Sequence, residues 1–94
     1  MNNYESVIII NDNLEEKQKK ETIKKIEEFI SKRGKLNRTD TLCSKRMAYE
    51  IKKQKTGYYC IFYFNVEPNV IPELERICRI TEEIIKFITV RIDE

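Results

Sequence analysis

The sequence predicts an α+β domain in which one four-stranded antiparallel sheet carries two helices on one of its faces. Two observations support this prediction. Short β-branched and aromatic runs alternate with two longer stretches of helix formers. Turn-forming residues stand between the segments. The resulting order is β-α-β-β-α-β, in which two split crossover units place the first and third strands at the centre of the sheet.

The first strand is predicted over Tyr4–Ile10, which ends in four consecutive β-branched residues before a turn of asparagine and aspartate. A helix is expected next, with Asn13 as its cap and Glu16 in a capping-box position. The helix should end at Arg33, because Gly34 follows two basic residues. Its inward face carries apolar residues at helical spacing: Ile23, Ile26, Phe29 and Ile30.

The second strand is expected over Lys35–Ile51, which is extended in character but polar and therefore suits a long edge strand. A turn is predicted over Lys52–Gly57. The third strand, Tyr58–Val66, is the strongest strand signal in the chain, because it combines aromatic and β-branched residues.

A short second helix is predicted after Pro68, with Asn69 as its cap and Pro72 in its first turn. Its expected inward residues are Ile71, Leu74, Ile77 and Cys78. The helix should end at Thr81–Glu83, and a last strand is predicted over Ile84–Ile92. This order of elements is the ferredoxin-like arrangement, with residues 1–94 forming a single domain.

The composition excludes several functional classes. The chain of 94 residues has no histidine and only two glycines, so histidine-based catalysis and glycine-rich phosphate cradles are not expected. Three widely spaced cysteines give no zinc pattern and indicate a reduced cytosolic setting. We therefore expect neither an enzyme nor a cofactor, metal site or small-molecule substrate, and no apolar run is long enough to span a membrane.

The formal net charge of +2 does not by itself indicate nucleic-acid binding, which depends on whether basic residues cluster. Such a cluster occurs on the second strand and the turn after it: Lys45, Arg46, Lys52, Lys53 and Lys55. These residues fit a phosphate backbone, but on the residues alone they fit a solvated turn and a protected edge strand equally well.

Alternation along the third strand predicts its two faces. The core face should carry Tyr58, Cys60, Phe62, Phe64 and Val66. Tyr59, Ile61, Tyr63 and Asn65 should then lie on the uncovered face, joined by Val7 and Ile9 of the first strand. An apolar patch of this kind usually marks a contact site, although aromatic residues also occupy strands for packing alone.

A family resemblance is carried by Lys45–Lys52 (KRMAYEIK) followed by Gly57–Tyr59. This stretch resembles the signature of the bacterial small-subunit ribosomal protein six family: a glycine, one residue, a basic pair, Leu-Ala-Tyr, one residue, Ile and a basic residue, then Gly-Tyr opening the third strand. Cys43 or Ser44 stands where the family has the glycine. Met47 replaces the usual leucine. The start Tyr4-Glu5 and the second helix are also similar, so the resemblance covers the whole chain.

The resemblance implies a cytoplasmic, structural protein of the small ribosomal subunit. Members of this family bind the central domain of small-subunit ribosomal RNA together with ribosomal protein eighteen. It favours RNA binding by Lys45, Arg46, Lys52 and Lys53, with Arg91 as a weaker candidate.

Partner binding is expected at Tyr59, Ile61 and Tyr63, with Arg79 as a weaker candidate. A rival interpretation remains open: a ferredoxin-like interaction or regulatory module that self-associates through its uncovered sheet face and binds no RNA. The exposed aromatic residues motivate this second hypothesis.

Overall fold

A computed structural model of the protein describes residues 1–42, 45–51 and 54–92, with the main chain alone described at 45–51, 54 and 55. The elements are β1 (Asn2–Asn11), α1 (Glu16–Arg33), β2 (Lys35–Thr41), β3 (Lys45–Ile51), β4 (Gln54–Val66), α2 (Val70–Ile80) and β5 (Ile84–Arg91).

The strands form one antiparallel sheet with β1 and β4 at its centre. Asn2–Asn11 of β1 pair with Gly57–Val66 of β4, and the other side of β1 pairs with β5. Both β2 and β3 pair with β4, so together they occupy one position at the edge of the sheet. The predicted β-α-β-β-α-β order and central strands are confirmed.

The bounds predicted for the second strand, Lys35 and Ile51, agree with the start of β2 and the end of β3, but the predicted end of the turn after it was wrong. The predicted strand Lys35–Ile51 is described as two segments, β2 and β3, with Cys43 and Ser44 between them outside the described residues. The predicted turn Lys52–Gly57 extended too far along the chain, because β4 already begins at Gln54; Lys52 and Lys53 lie outside the described residues. The reason is main-chain pairing: Gln54, Thr56 and Gly57 face Ile51, Arg46 and Lys45 of β3.

The predicted cap of the first helix was also wrong. Asn13 belongs to the turn after β1, where its backbone N–H donates to the side-chain oxygen of Asn11 at 2.9 Å. The helix is capped two residues later at Glu15, whose backbone N–H donates to the side chain of Gln18 at 3.3 Å. A local side-chain hydrogen bond competes with helix initiation here, as asparagine favours. The remaining boundaries lie within two residues of the predicted ones.

Both helices cover the same face of the sheet and enclose the core. The predicted inward positions of β4 are confirmed: Phe62, Phe64 and Val66 are fully buried, and Tyr58 is half-buried. From the helices come Ile26, Phe29, Ile30, Leu74 and Cys78, with Ile23, Ile71 and Ile77 partly buried beside them. Burying each phenylalanine contributes roughly 1.5–3 kcal/mol relative to exposing it. The opposite face of the sheet is therefore left without a covering layer of helices.

Candidate functional site

The uncovered face of the sheet, here called the open face, carries the odd-numbered residues of β1 and β4 because side chains alternate along a strand. The pairing register arranges them in rows across the sheet. The central row is aliphatic: Ile61 of β4 faces Val7 of β1, and Val7 faces Ile88 of β5. Ile88 is 51% exposed.

A second row begins with Tyr59, which faces Ile9, while Ile9 faces Lys86. Ile9 and Ile85 are buried against each other, with Tyr59 packed on them, although no helix covers this side. The row thus forms a small satellite core on the open face, with the aliphatic row exposed next to it. Tyr59 both supports the sheet and borders the exposed patch.

The third row is charged at one end. Arg38 of β2 faces Tyr63 of β4, Tyr63 faces Glu5 of β1, and Glu5 faces Val90 of β5. Val90 is 46% exposed. With Ile88 it extends the apolar patch across β5 to the edge of the sheet. Exposed contiguous apolar surface of this kind usually marks an interaction site.

Arg38 lies over Tyr63, with its guanidinium carbon 4.4 Å from the ring centroid. Its Nη2 also lies 3.1 Å from a carboxylate oxygen of Asp40. A hydrogen bond with Tyr63 and the negative charge of Asp40 raise the pKa of Arg38, so its positive charge is secure. Arg38 was not predicted as a site residue; the alternation Arg38-Thr39-Asp40 on an edge strand was the only available signal.

The three predicted partner-binding residues Tyr59, Ile61 and Tyr63 are therefore neighbours on the open face, and all three are half-buried. Arg79 lies apart from them, exposed near the end of α2 on the helix-covered side. The structure thus brings together three of the four partner-binding candidates and separates the fourth.

The predicted RNA-binding residues are only partly within the described structure. Lys45 and Arg46 belong to β3, where their main chains face Gly57 and Thr56 of β4. Lys52 and Lys53 lie outside the described residues. Their assignment to RNA stays a prediction.

Arg91, the weaker RNA candidate, is distant from the β3 pair. It faces Tyr4 on β1, whereas Lys45 faces Gly57, which in turn faces Asn11 of β1. Seven residues of strand separate Tyr4 from Asn11, which is about 23 Å at roughly 3.3 Å per residue. Arg91 and the β3 residues thus occupy opposite ends and opposite edges of the sheet, too far apart to bind one phosphate.

Two of the shallow clefts formed by the described residues lie on the helix side. One, of about 220 Å³, is lined by Gln18, Glu21, Thr22, Lys25 and Glu83. The other, of about 230 Å³, is lined by Lys25, Glu28, Phe29, Lys32, Arg33 and Ile77. Neither joins a nucleophile to a general base. Among the described residues, no three metal-ligating side chains converge, and no helix is long and apolar enough to cross a membrane.

Comparison with known proteins gives a consistent result. A family model described as Ribosomal protein S6 matches residues 3–91. Small ribosomal subunit protein bS6 of Flavobacterium johnsoniae is 41% identical over 95 residues, covering 100% of this chain and 84% of the relative. The bS6 protein of Moorella thermoacetica is 36% identical over 95 residues, covering 100% and 97%.

The bS6 protein of Helicobacter acinonychis is 39% identical over 94 residues, covering 99% of this chain. The chain spans only 66% of that relative's length. The crystal structure of 30S ribosomal protein S6 from Thermotoga maritima superposes with a TM-score of 0.92 at 33% identity, covering 97% of this chain and 87% of that chain. Sequence and fold thus point to one family.

Proposed function

The chain belongs to the ribosomal protein S6 family, and we propose that it binds the central domain of small-subunit ribosomal RNA together with ribosomal protein eighteen. In this role it is a structural constituent of the small ribosomal subunit in the cytoplasm. The observation that carries the proposal is the family match across residues 3–91. A scaffold role requires contact surfaces rather than catalytic groups, and the partly exposed apolar rows of the open face support such a role.

The open face supports the protein-binding half of the proposal. Ile61, Val7 and Ile88 form an aliphatic row across three strands, and Tyr59 and Tyr63 flank it on β4. Interfaces of this composition, apolar and aromatic at the centre with charges at the rim, are typical of protein partners. We assign this face to ribosomal protein eighteen.

The edge of the sheet supports the RNA-binding half. We assign phosphate contacts to Lys45, Arg46, Lys52 and Lys53, which the sequence places on β3 and directly after it. Basic side chains along a strand can follow a phosphate backbone, and arginine adds two-pronged hydrogen bonding. We assign Arg91 to a separate, weaker contact because it lies at the far end of the sheet.

The test is binding of the purified protein to a central-domain fragment of small-subunit ribosomal RNA across a salt series, with and without ribosomal protein eighteen. Salt-sensitive binding that appears or strengthens with the partner is the expected result. If no RNA binds under either condition, the proposal is wrong. Self-association that increases with concentration would then favour the alternative, an interaction module that uses the open face.

A further inference from the structure

Arg38 is an exposed cation held in one orientation. Its side chain is 63% exposed, yet its guanidinium lies 4.4 Å from the centroid of Tyr63 and 3.1 Å from Asp40. A free arginine side chain loses rotamer entropy when it binds a partner. Because Tyr63 and Asp40 already restrict Arg38, less entropy remains to be lost on binding.

The fixed guanidinium can still recognise an anion. It has five N–H donors in a planar fork that matches the two oxygens of a carboxylate. Asp40 contacts Nη2 and Tyr63 lies against the guanidinium, yet the side chain is 63% exposed, so the remaining N–H donors can reach a partner's anion. Arg38 is therefore a preformed anion contact rather than a closed internal ion pair.

The surroundings of Arg38 favour a protein carboxylate over an RNA phosphate. The aliphatic row begins next to it, since Asp40 faces Ile61. Two carboxylates, Asp40 and Glu5, lie in this part of the open face, one on β2 and one opposite Tyr63. A phosphate backbone needs several cations within reach, whereas a single carboxylate can be bound by one guanidinium. A charge at the rim of an apolar patch is typical of protein interfaces, where it fixes the partner's register.

We infer that Arg38, held against Tyr63, is the residue that orients the protein partner on the open face by binding a carboxylate of that partner. The inference rests on the proposed pairing with ribosomal protein eighteen and adds to it the residue that sets its orientation.

The experiment measures the dissociation constant between the protein and ribosomal protein eighteen by isothermal titration at two salt concentrations. Arg38→Gln should weaken binding about tenfold and reduce its salt dependence, because the variant has no charge to pair with the partner's carboxylate. Arg38→Lys should recover part of the affinity, since an ammonium keeps the charge but lacks the planar fork. Arg76→Gln, on α2 and away from the open face, is the matched control and should bind like the wild type.

The outcomes separate this inference from the proposed function. If the wild-type protein does not bind ribosomal protein eighteen, the proposed pairing fails and this inference fails with it. If the wild type binds and Arg38→Gln binds equally tightly, the pairing stands and the inference is overturned. If Arg38→Gln binds ribosomal protein eighteen as tightly as the wild type but the resulting heterodimer binds RNA more weakly, Arg38 contacts RNA. That result would also overturn the inference. Equal melting temperatures will show that all variants are folded.

Discussion

The ammonium group of Lys19 lies 3.0 Å from a carboxylate oxygen of Asp12, and the two side chains are only 10% and 17% exposed. Lys19 also lies 5.0 Å from the ring centroid of Tyr58. The other oxygen of Asp12 accepts a hydrogen bond from the hydroxyl of Thr56 at 2.9 Å. One carboxylate thus joins the turn after β1 to α1 and to the beginning of β4.

Removing this carboxylate should destabilise the fold. Asp12→Ala leaves the charge of Lys19 nearly buried without its partner, so the free energy of unfolding should fall by about 2–4 kcal/mol in urea titrations. The control is Glu73→Ala, which breaks the ion pair with Arg33, where the side chains are 39% and 55% exposed. That change should cost less than about 1 kcal/mol. Equal losses in the two variants would contradict the structural role of Asp12.

Gly34 should not tolerate a methyl group. Its φ of −176° is extended, so any residue could adopt the backbone conformation. A Cβ atom, however, would overlap the carbonyl oxygen of Asn65 and lie 2.7 Å from Cγ1 of Val66. Gly34→Ala should therefore lower the free energy of unfolding by about 1–3 kcal/mol through overpacking.

The matched control is Ser31→Ala, on the exposed side of α1 three residues earlier. It should be neutral or slightly stabilising, because alanine is the better helix former. If Gly34→Ala is as stable as the wild type in the same urea titration, β4 does not lie as close to Gly34 in solution as it does in the structure.

Two buried thiols should be unreactive. Burial, with the negative charge of Glu27 nearby, raises the pKa of Cys60 from 9.0 to about 12. Burial, with Glu75 nearby, raises the pKa of Cys78 to about 12 as well. Because the thiolate is the reactive species, iodoacetamide at pH 8 should label both residues in urea but neither in the native protein. Mass spectrometry of the cysteine-containing peptides measures the labelling of Cys60 and Cys78 separately.

The same thiols give a pH dependence with a definite sign. Their folded pKa values lie above the unfolded value of 9.0, so the unfolded chain releases protons first as the pH rises. Their contribution to stability is complete below the unfolded pKa of 9.0 and is lost progressively as the pH rises from there to about 12. Cys60→Ala or Cys78→Ala should each flatten this alkaline decline, and an unchanged profile would contradict the assignment.

Exposed isoleucines on the two sides of the molecule provide a matched test of the partner surface. Ile88 on the open face is 51% exposed and Ile80 at the end of α2 is 67% exposed. Ile88→Lys should weaken binding of ribosomal protein eighteen at least about tenfold, as replacement of a central interface residue does. Ile80→Lys should leave that affinity unchanged. If Ile88→Lys and Ile80→Lys change the affinity equally, ribosomal protein eighteen does not bind at the open face.

The proposed phosphate contacts of β3 predict a salt effect. Replacing Lys45 and Arg46 with glutamine should weaken RNA binding and reduce the slope of log affinity against log salt by about one unit for each phosphate that is no longer neutralised. The control replaces Lys20 and Lys24, two exposed lysines of α1, in the same way. An unchanged slope in the Lys45/Arg46 variant would remove these residues from the RNA interface.

Local chemistry explains why most of the fold could be predicted from the sequence. The spacing of Ile26, Phe29 and Ile30 fixes the buried side of α1, and alternation in β4 fixes which residues enter the core. One error, the end of the turn before β4, arose from main-chain pairing with β3, and the other arose where local hydrogen bonds compete. Asn13 is a good cap by residue type, but its backbone N–H donates to the side-chain oxygen of Asn11. The cap of the helix is Glu15 instead.

The candidate site was less predictable than the fold. Alternation placed Tyr59, Ile61 and Tyr63 on one face, and the structure confirms that they are neighbours. It could not show that Arg79 lies on the other side of the sheet, since that depends on how α2 packs. Nor could it reveal Arg38, because one arginine in a polar edge strand has no distinctive pattern until the register places it opposite Tyr63.

By itself, the sequence determined the order of the elements, the composition of the core, the resemblance to a ribosomal family and the absence of histidine. These depend on residue type and spacing along the chain. The tertiary structure decided which residues form rows across the open face and how far Arg91 lies from β3. It also decided that Asp12 is the counter-ion of Lys19. These depend on strand register and helix packing, which join residues far apart in sequence and are fixed only when the whole sheet assembles.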